Sequence, residues 1–354
     1  MRIERVEVER LGLRLREPYT IAYETVDTAE NLLVRLILRN GNVALGVSAP
    51  DAGVTGETLE ASFKALQDIA VRIKGMDAYR RIRILEVAQP ILKGCPAALA
   101  ALDQALFDAI AKAANLPAWK LLGGYRRAMP TSITLFLAPP DEVVRRALDY
   151  RSQGFQVLKI KGGDVLELDI ERIVRVREAV GPDVELLFDA NQGYDMAGIR
   201  AFFDAVRGAD LSIIEQPTPP SPRNDSLRGV TNALPLPIMA DESLLDLDDA
   251  LHIVRGEIAD MVNIKLAKVG GLDQATMING VARAGGLEVM VGCMDECALS
   301  IAAGLAFALS RPNVEYADLD GHLDLLNDPT TAALKLEDGV LYPSREPGFG
   351  IADV

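Results

Sequence analysis

Histidine is nearly absent: only His252 and His322 occur in 354 residues. A three-histidine metal site is excluded, and a Ser-His-Asp triad would depend on one of these two side chains. Cysteine is equally scarce. Cys95, Cys293 and Cys297 are odd in number and lack CxxC spacing, which argues against a disulfide framework or a structural zinc site; they read as small buried hydrophobes. A long uncharged apolar run is also missing. The opening MRIERVEVER carries charges where a signal peptide needs apolar residues, and the longest uncharged stretch, near CALSIAAGLAFALS, is too short to span a bilayer. A soluble cytoplasmic protein with no membrane partner is expected. Positive charge is in deficit, with Lys plus Arg at 37 against 51 for Asp plus Glu, a net −14. Such a chain repels phosphate backbones unless its basic residues cluster, and they do not, so no nucleic-acid partner is expected. What remains for chemistry is lysine and carboxylate. With 49% hydrophobic residues there is material for a sizeable core and more than one domain.

Residues 3–15 and 31–38 suit strands, and Asn40-Gly41 between two apolar runs signals a hairpin. Beyond Thr55-Gly56 helical periodicity takes over, ending in the Ala-rich stretch from Pro96 to Asn115, where proline suits a helix start. An α+β domain over residues 1–125 is expected, closing near LLGGY. From Pro130 onward short apolar runs alternate with helix-like segments. TSITLFL, FQVLKIK, VELLFDAN, LSIIEQP, LPIMADES, DMVNIK, LEVMVGCM and VEYADLD are candidate strands. This alternation predicts a (β/α) barrel over residues 126–320, with a doubly wound open sheet as the alternative. The tail over 321–354, with one short strand-like run, is expected to return to the first domain.

Charges close these runs. Lys161, Asp189, Glu215, Asp241 and Lys265 follow one another at intervals of 28, 26, 26 and 24 residues. A barrel of about 250 residues in eight units averages about 30 residues per unit, so each charge falls near one height on successive strands. Alternation puts Lys159 with Lys161, Asn191 with Asp189, and Asn263 with Lys265 on inward faces. Ammonium groups turned inward are costly unless paired, so the lysine face of FQVLKIK should look into a charged site. Three nearby carboxylates raise one another's pKa unless a cation intervenes. A divalent metal held by oxygen alone, without histidine or cysteine, suits Mg²⁺ better than zinc. For a single aspartate, simple strand-end capping is the plainer explanation; for five charges at matched spacing it is not.

The chain resembles the enolase superfamily, its muconate-lactonizing-enzyme subgroup, and within that the dipeptide epimerases. The resemblance is carried by KIK at 159–161, DANQGY from 189, IEQP from 214, ADES from 240 and NIKLAKVGG from 263, in that order. It implies a modified (β/α)7β barrel of the (β/α)8 type, with an N-terminal α+β capping domain, and assembly into homo-oligomers. It further implies that Asp189, Glu215 and Asp241 bind Mg²⁺ while Lys161 and Lys265 form an acid/base pair on opposite faces of the substrate. Enolase-superfamily sites are a known case of a lysine base working with Mg²⁺ on an enediolate. Two-faced placement means removal of an α-proton on one side and its return on the other. Lys159⁺ and the metal should lower the pKa of Lys161.

In the last strand Asp318 and Asp320 match a DxD motif that, by the resemblance, binds the free amino group of a dipeptide; strand-end capping is the plainer alternative. Glu24 stands where Ala-Glu epimerases carry an arginine for the glutamate side chain. Asp51 in SAPDAGVTGE and Asp295 in GCMDE are placed to line the pocket, unless they are simply solvated. A preference for dipeptides with cationic or neutral over acidic side chains follows. The stretch 17–30 is expected to move over the substrate. Within the same subgroup a cycloisomerase, an o-succinylbenzoate synthase or an N-succinylamino acid racemase would use the same metal and lysines, but has no evident use for the DxD pair. A non-catalytic metal-binding relative would not need two lysines facing the metal.

Overall fold

A computed structural model describes residues 1–20 and 25–352. Strands β1 (Ile3–Thr20), β2 (Thr25–Leu38) and β3 (Val43–Ser48) form an antiparallel sheet in that order. The Asn40-Gly41 signal is met at the β2–β3 turn, where Gly41 takes φ +85° and its N–H donates to the Leu38 carbonyl. β1 runs five residues past its expected end at Leu15, because Arg14 and Tyr19 bracket an irregularity after which pairing with β2 resumes. Part of the 17–30 stretch is therefore strand. Residues 21–24, including Glu24, lie outside the described residues.

Three helices follow, Leu59–Ile73, Arg81–Ala88 and Pro96–Ala113. Thr58 caps the first, its hydroxyl accepting from Ala61 N–H at 3.2 Å, and Pro96 opens the third. Alanine on one side of that third helix lets it approach β3 closely: a Cβ at Gly46 would fall 2.0 Å from the Ala101 carbonyl oxygen. Leu32, Val34 and Leu36 of β2 pack with Leu66, Ile69 and Ile73 into one core.

After the two-residue strand β4 (Met129–Pro130), all eight expected strands form: β5 (Ile133–Leu135), β6 (Val157–Lys161), β7 (Glu185–Asp189), β8 (Leu211–Glu215), β9 (Ile238–Ala240), β10 (Met261–Lys265), β11 (Glu288–Gly292) and β12 (Val314–Asp318). They run parallel and pair strictly in chain order, with helical connections between consecutive strands, which makes a nearly closed (β/α)7β barrel and not a doubly wound sheet. Closure comes from Ser132 N–H donating to the Ala317 carbonyl at 2.9 Å and Leu319 N–H donating to Thr131 Oγ1 at 2.9 Å.

The tail forms a hairpin of two strands, β13 (Leu334–Glu337) and β14 (Val340–Pro343), which adds to β4. Before it, Arg16 N–H donates to the Asp324 carbonyl and Leu326 N–H to that of Arg14; after it, Phe349 N–H donates to Asp108 on the Pro96–Ala113 helix. Among the described residues no helix is long and apolar enough to cross a membrane.

Candidate active site

Lys161, Asp189 and Glu215 lie in one register row across β6, β7 and β8. The row then reaches Met239 on β9, so Asp241 stands two residues further along. Ala240 pairs with Val262, which sets Asp241 beside Asn263; Lys265, again two further, pairs with Gly292, and Gly292 with Asp318. A tilted barrel requires this stagger: residues at one height along its axis climb along successive strands. The sequence spacing therefore does converge on one mouth. The loops that follow β6 and β7 are strapped together there, since a Cβ on Gly163 (φ +92°) would meet the Ala190 carbonyl oxygen at 2.0 Å.

Lys159 is 2% exposed, and its Nζ lies 2.7 Å from Glu215 Oε2, 2.7 Å from Asp318 Oδ2 and 3.1 Å from Asp189 Oδ2. Lys161 Nζ is 2.7 Å from the same Asp189 oxygen. Asp241 is held by Lys265 at 2.8 Å and by Lys268, whose ammonium also reaches the Asp241 and Asn263 carbonyls. Burial works against the Lys159 ammonium, but Asp318, Glu215 and Asp189 outweigh it and hold its pKa well above the ordinary value. Lys265 is likewise raised: burial opposes, Asp241 prevails. Asp189 is buried yet lowered to about 2 by Lys161 and Lys159. Glu215 is pushed up to about 7 by burial and by the charge of Asp189, because the single ammonium of Lys159 is shared among three carboxylates.

The trio expected from sequence is thus present at the mouth, with lysine ammoniums standing between its members. Among the described residues no three His, Cys, Asp or Glu side chains are gathered closely enough to enclose an ion. The donor set nonetheless fits Mg²⁺ in kind: Asp189, Glu215 and Asp241 offer only oxygen, and the buried Asn191 Oδ1 and Glu242 Oε2 on the cavity wall have no hydrogen-bond partner. It fits in charge as well. Carboxylates outnumber lysines there, with Asp189, Glu215, Asp241, Glu242, Asp318 and Asp320 gathered around Lys159, Lys161, Lys265 and Lys268, an excess that favours a bound cation.

Lys161, Lys265, Asp318, Asp320, Asp51 and Asp295 all line one cavity. The DxD pair is not equivalent. Asp318 accepts from Lys159 Nζ through Oδ2 and from Ser132 Oγ at 2.6 Å through Oδ1, whereas Asp320 accepts from Thr134 N–H at 2.7 Å through Oδ2 and turns Oδ1 toward Cys293 Sγ, 3.9 Å away. Asp51 Oδ1 accepts the N–H groups of Gly53 and Val54, so it also shapes its own turn. Of the cysteines, Cys95 and Cys297 are buried as expected, but Cys293 stands on the cavity wall. Lys268, Glu242, Ser132 and Thr134 had not been singled out. Only Lys268 left a signal, a second lysine three residues after Lys265 in NIKLAKV.

Residues 4–123 match the mandelate racemase / muconate lactonizing enzyme N-terminal domain, and residues 142–352 the enolase C-terminal domain-like model. Among similar proteins are a hydrophobic dipeptide epimerase of Enterococcus faecalis (36% identical, covering 99% of this chain and 100% of that one) and an L-Lys-D/L-Arg epimerase of Methylococcus capsulatus (38%, 99% of each). A solved dipeptide epimerase from Enterococcus faecalis, complexed with Mg and L-Leu-L-Tyr, superposes with a TM-score of 0.96 at 35% identity over 100% of both chains. With both of its parts matched and its full length shared with these relatives, the chain belongs to the enolase superfamily.

Proposed function

We propose that the protein is a Mg²⁺-dependent dipeptide epimerase that inverts the α-carbon of the C-terminal residue by a two-base proton transfer. One observation carries this reading. Lys161 closes β6 and Lys265 closes β10, four strands apart in an eight-stranded barrel, so the two amines face each other across the mouth of one cavity. The full-length likeness to dipeptide epimerases supports it.

Asp189, Glu215 and Asp241 would hold the metal. A bound Mg²⁺ supplies a fixed positive charge beside the substrate carboxylate, which lowers the cost of the second negative charge that α-deprotonation creates. Lys161 in its neutral form takes the α-proton from one face. Lys265, kept as an ammonium by Asp241, delivers a proton to the other. The product is the inverted epimer, and the lysines have exchanged protonation states; the reverse reaction uses them in the opposite roles. Asp320 would receive the dipeptide amino group, because Asp318 already faces a buried ammonium, that of Lys159, at 2.7 Å. Asp51 and Asp295 on the wall favour cationic or neutral over acidic side chains. Relatives of nearly equal identity differ in named substrate, so overall likeness does not choose the side chain.

The test is incubation with Mg²⁺ and pools of L,L-dipeptides in ²H₂O. One-deuteron gain with inversion, abolished by chelation, is expected. No exchange in any pool would overturn the reading and direct attention to succinyl-substrate or cycloisomerase chemistry.

A further inference from the structure

The loop between β11 and the helix Ala298–Ala308 carries Cys293, Met294 and Asp295, all on the cavity wall. Cys297, at the cap of the helix, makes no side-chain cap, and the first helical N–H groups are taken from elsewhere, Ala298 by Asp328 at 2.7 Å and Leu299 by Thr330 at 3.0 Å.

Asn31 of β2 reaches this loop from the other domain. It is 1% exposed; its Nδ2 donates to the Asp295 carbonyl at 2.9 Å and its Oδ1 accepts from Cys297 N–H at 3.0 Å. One rigid amide thus grips the residues on either side of Glu296, and the fit of donor to carbonyl and acceptor to N–H fixes its orientation. A separate tether ends on the same loop. Gln104 accepts from Val47 N–H at 3.1 Å and donates to Ser300 Oγ at 3.3 Å; that hydroxyl bonds the buried Glu296 carboxylate, which accepts from Met294 N–H at 3.1 Å.

We propose that Asn31 is a positioning residue that sets side-chain selectivity by fixing the backbone of the loop bearing Met294 and Asp295. Asn31 touches no substrate in this account; it acts by determining where Asp295 stands relative to the substrate side chain. The inference takes its substrate from the dipeptide reading and its geometry from the hydrogen bonds alone.

Two Asn31 variants test it, with a pair of Glu296 variants beside them. Asn31→Ala removes both bonds. Asn31→Asp keeps an acceptor for Cys297 N–H but sets an oxygen against the Asp295 carbonyl, and it serves as the probe if Asn31→Ala fails to fold. Glu296→Gln retains an acceptor for Met294 N–H and a partner for Ser300, and should restore wild-type behaviour relative to Glu296→Ala. Amide hydrogen exchange over residues 293–297 is expected to speed up in both Asn31 variants while the barrel strands stay protected. Their KM for Lys- or Arg-containing dipeptides should rise about tenfold with kcat within about twofold, and KM for Leu-containing dipeptides should stay near wild type. Unchanged exchange would overturn the proposal, and so would equal loss on all dipeptides or an unaltered selectivity ratio. If the wild type turns over no dipeptide, the functional reading fails, while the exchange measurement still decides whether Asn31 holds the loop.

Discussion

Two layers of the barrel interior, two residues apart on the same strands, have opposite chemistry. The lower layer is Leu187, Ile213, Met239, Met261 and Met290, each 3% exposed or less and packed on one another. The upper layer, two positions on, is Asp189, Glu215, Asp241, Asn263 and Gly292. Period-2 alternation sends both sets inward, so geometry is shared and only residue type differs. The floor gains from burial, as protein cores do. The mouth does the reverse: it desolvates carboxylates and leaves them dependent on lysines. Gly292 makes room at this level, where a Cβ would fall 2.5 Å from Asn263 Oδ1. β6 breaks the pattern, because Lys159 sits in the row of Leu187 and sends its ammonium upward to Asp189 and Glu215. Stability and function are thus written on adjacent rungs, with Lys159 joining them.

The comparison can be broken most severely at the mouth. Glu215→Gln should lower epimerase activity by at least about 10³-fold if, as proposed, Glu215 is one of the three carboxylates that hold Mg²⁺. Metal-free stability should at least match wild type, because ionised Glu215 is disfavoured by burial and by Asp189. Steady-state kinetics and urea denaturation of the same preparation check both halves. Lys159→Met removes the cation shared by three carboxylates and should cost about 3–5 kcal/mol in metal-free protein, with Mg²⁺ raising Tm more than it does in wild type. On the floor, Met290→Ala should cost about 2–5 kcal/mol in denaturation while kcat stays within about tenfold.

The smallest effect concerns pH. His322, partly buried with an unpartnered Nδ1, has its pKa pushed down by desolvation from 6.5 to about 4. The unfolded chain therefore binds a proton that the folded one refuses between these values. The stability this neutral side chain contributes is complete above pH 6.5 and is lost as pH falls toward 4, by at most about 3 kcal/mol. His322→Asn should show a shallower decline over that window; identical pH profiles would place His322 in water.

The strands and their order were legible because each barrel strand is a short apolar run set between helix-like segments, several of them closed by a charge. Lys161, Asp189, Glu215, Asp241 and Lys265 were legible for the same reason, their spacing being that of the strand-helix unit. Alternation reveals which face a side chain takes but not its partner. It could not show that Lys159 would stand among Asp189, Glu215 and Asp318, or that Ser132 would hold Asp318 and leave the DxD pair unequal. Lys268 stood out as a second lysine in NIKLAKV, but its direction was not readable, because it lies past the strand end in the short helix Leu266–Val269, where period-2 counting stops. Asn31 and Asp295 are 264 residues apart, a contact that no local pattern encodes.

The most direct test of two opposed lysines is α-proton exchange by Lys161→Ala and Lys265→Ala, each given the L,L- and the inverted dipeptide separately with Mg²⁺ in ²H₂O. Neither variant should invert its substrate. Each should still exchange the α-proton of one epimer, from the face of the lysine that remains, and the two variants should choose opposite epimers. Inversion surviving in either variant, or both variants exchanging the same epimer, would contradict the two-base arrangement.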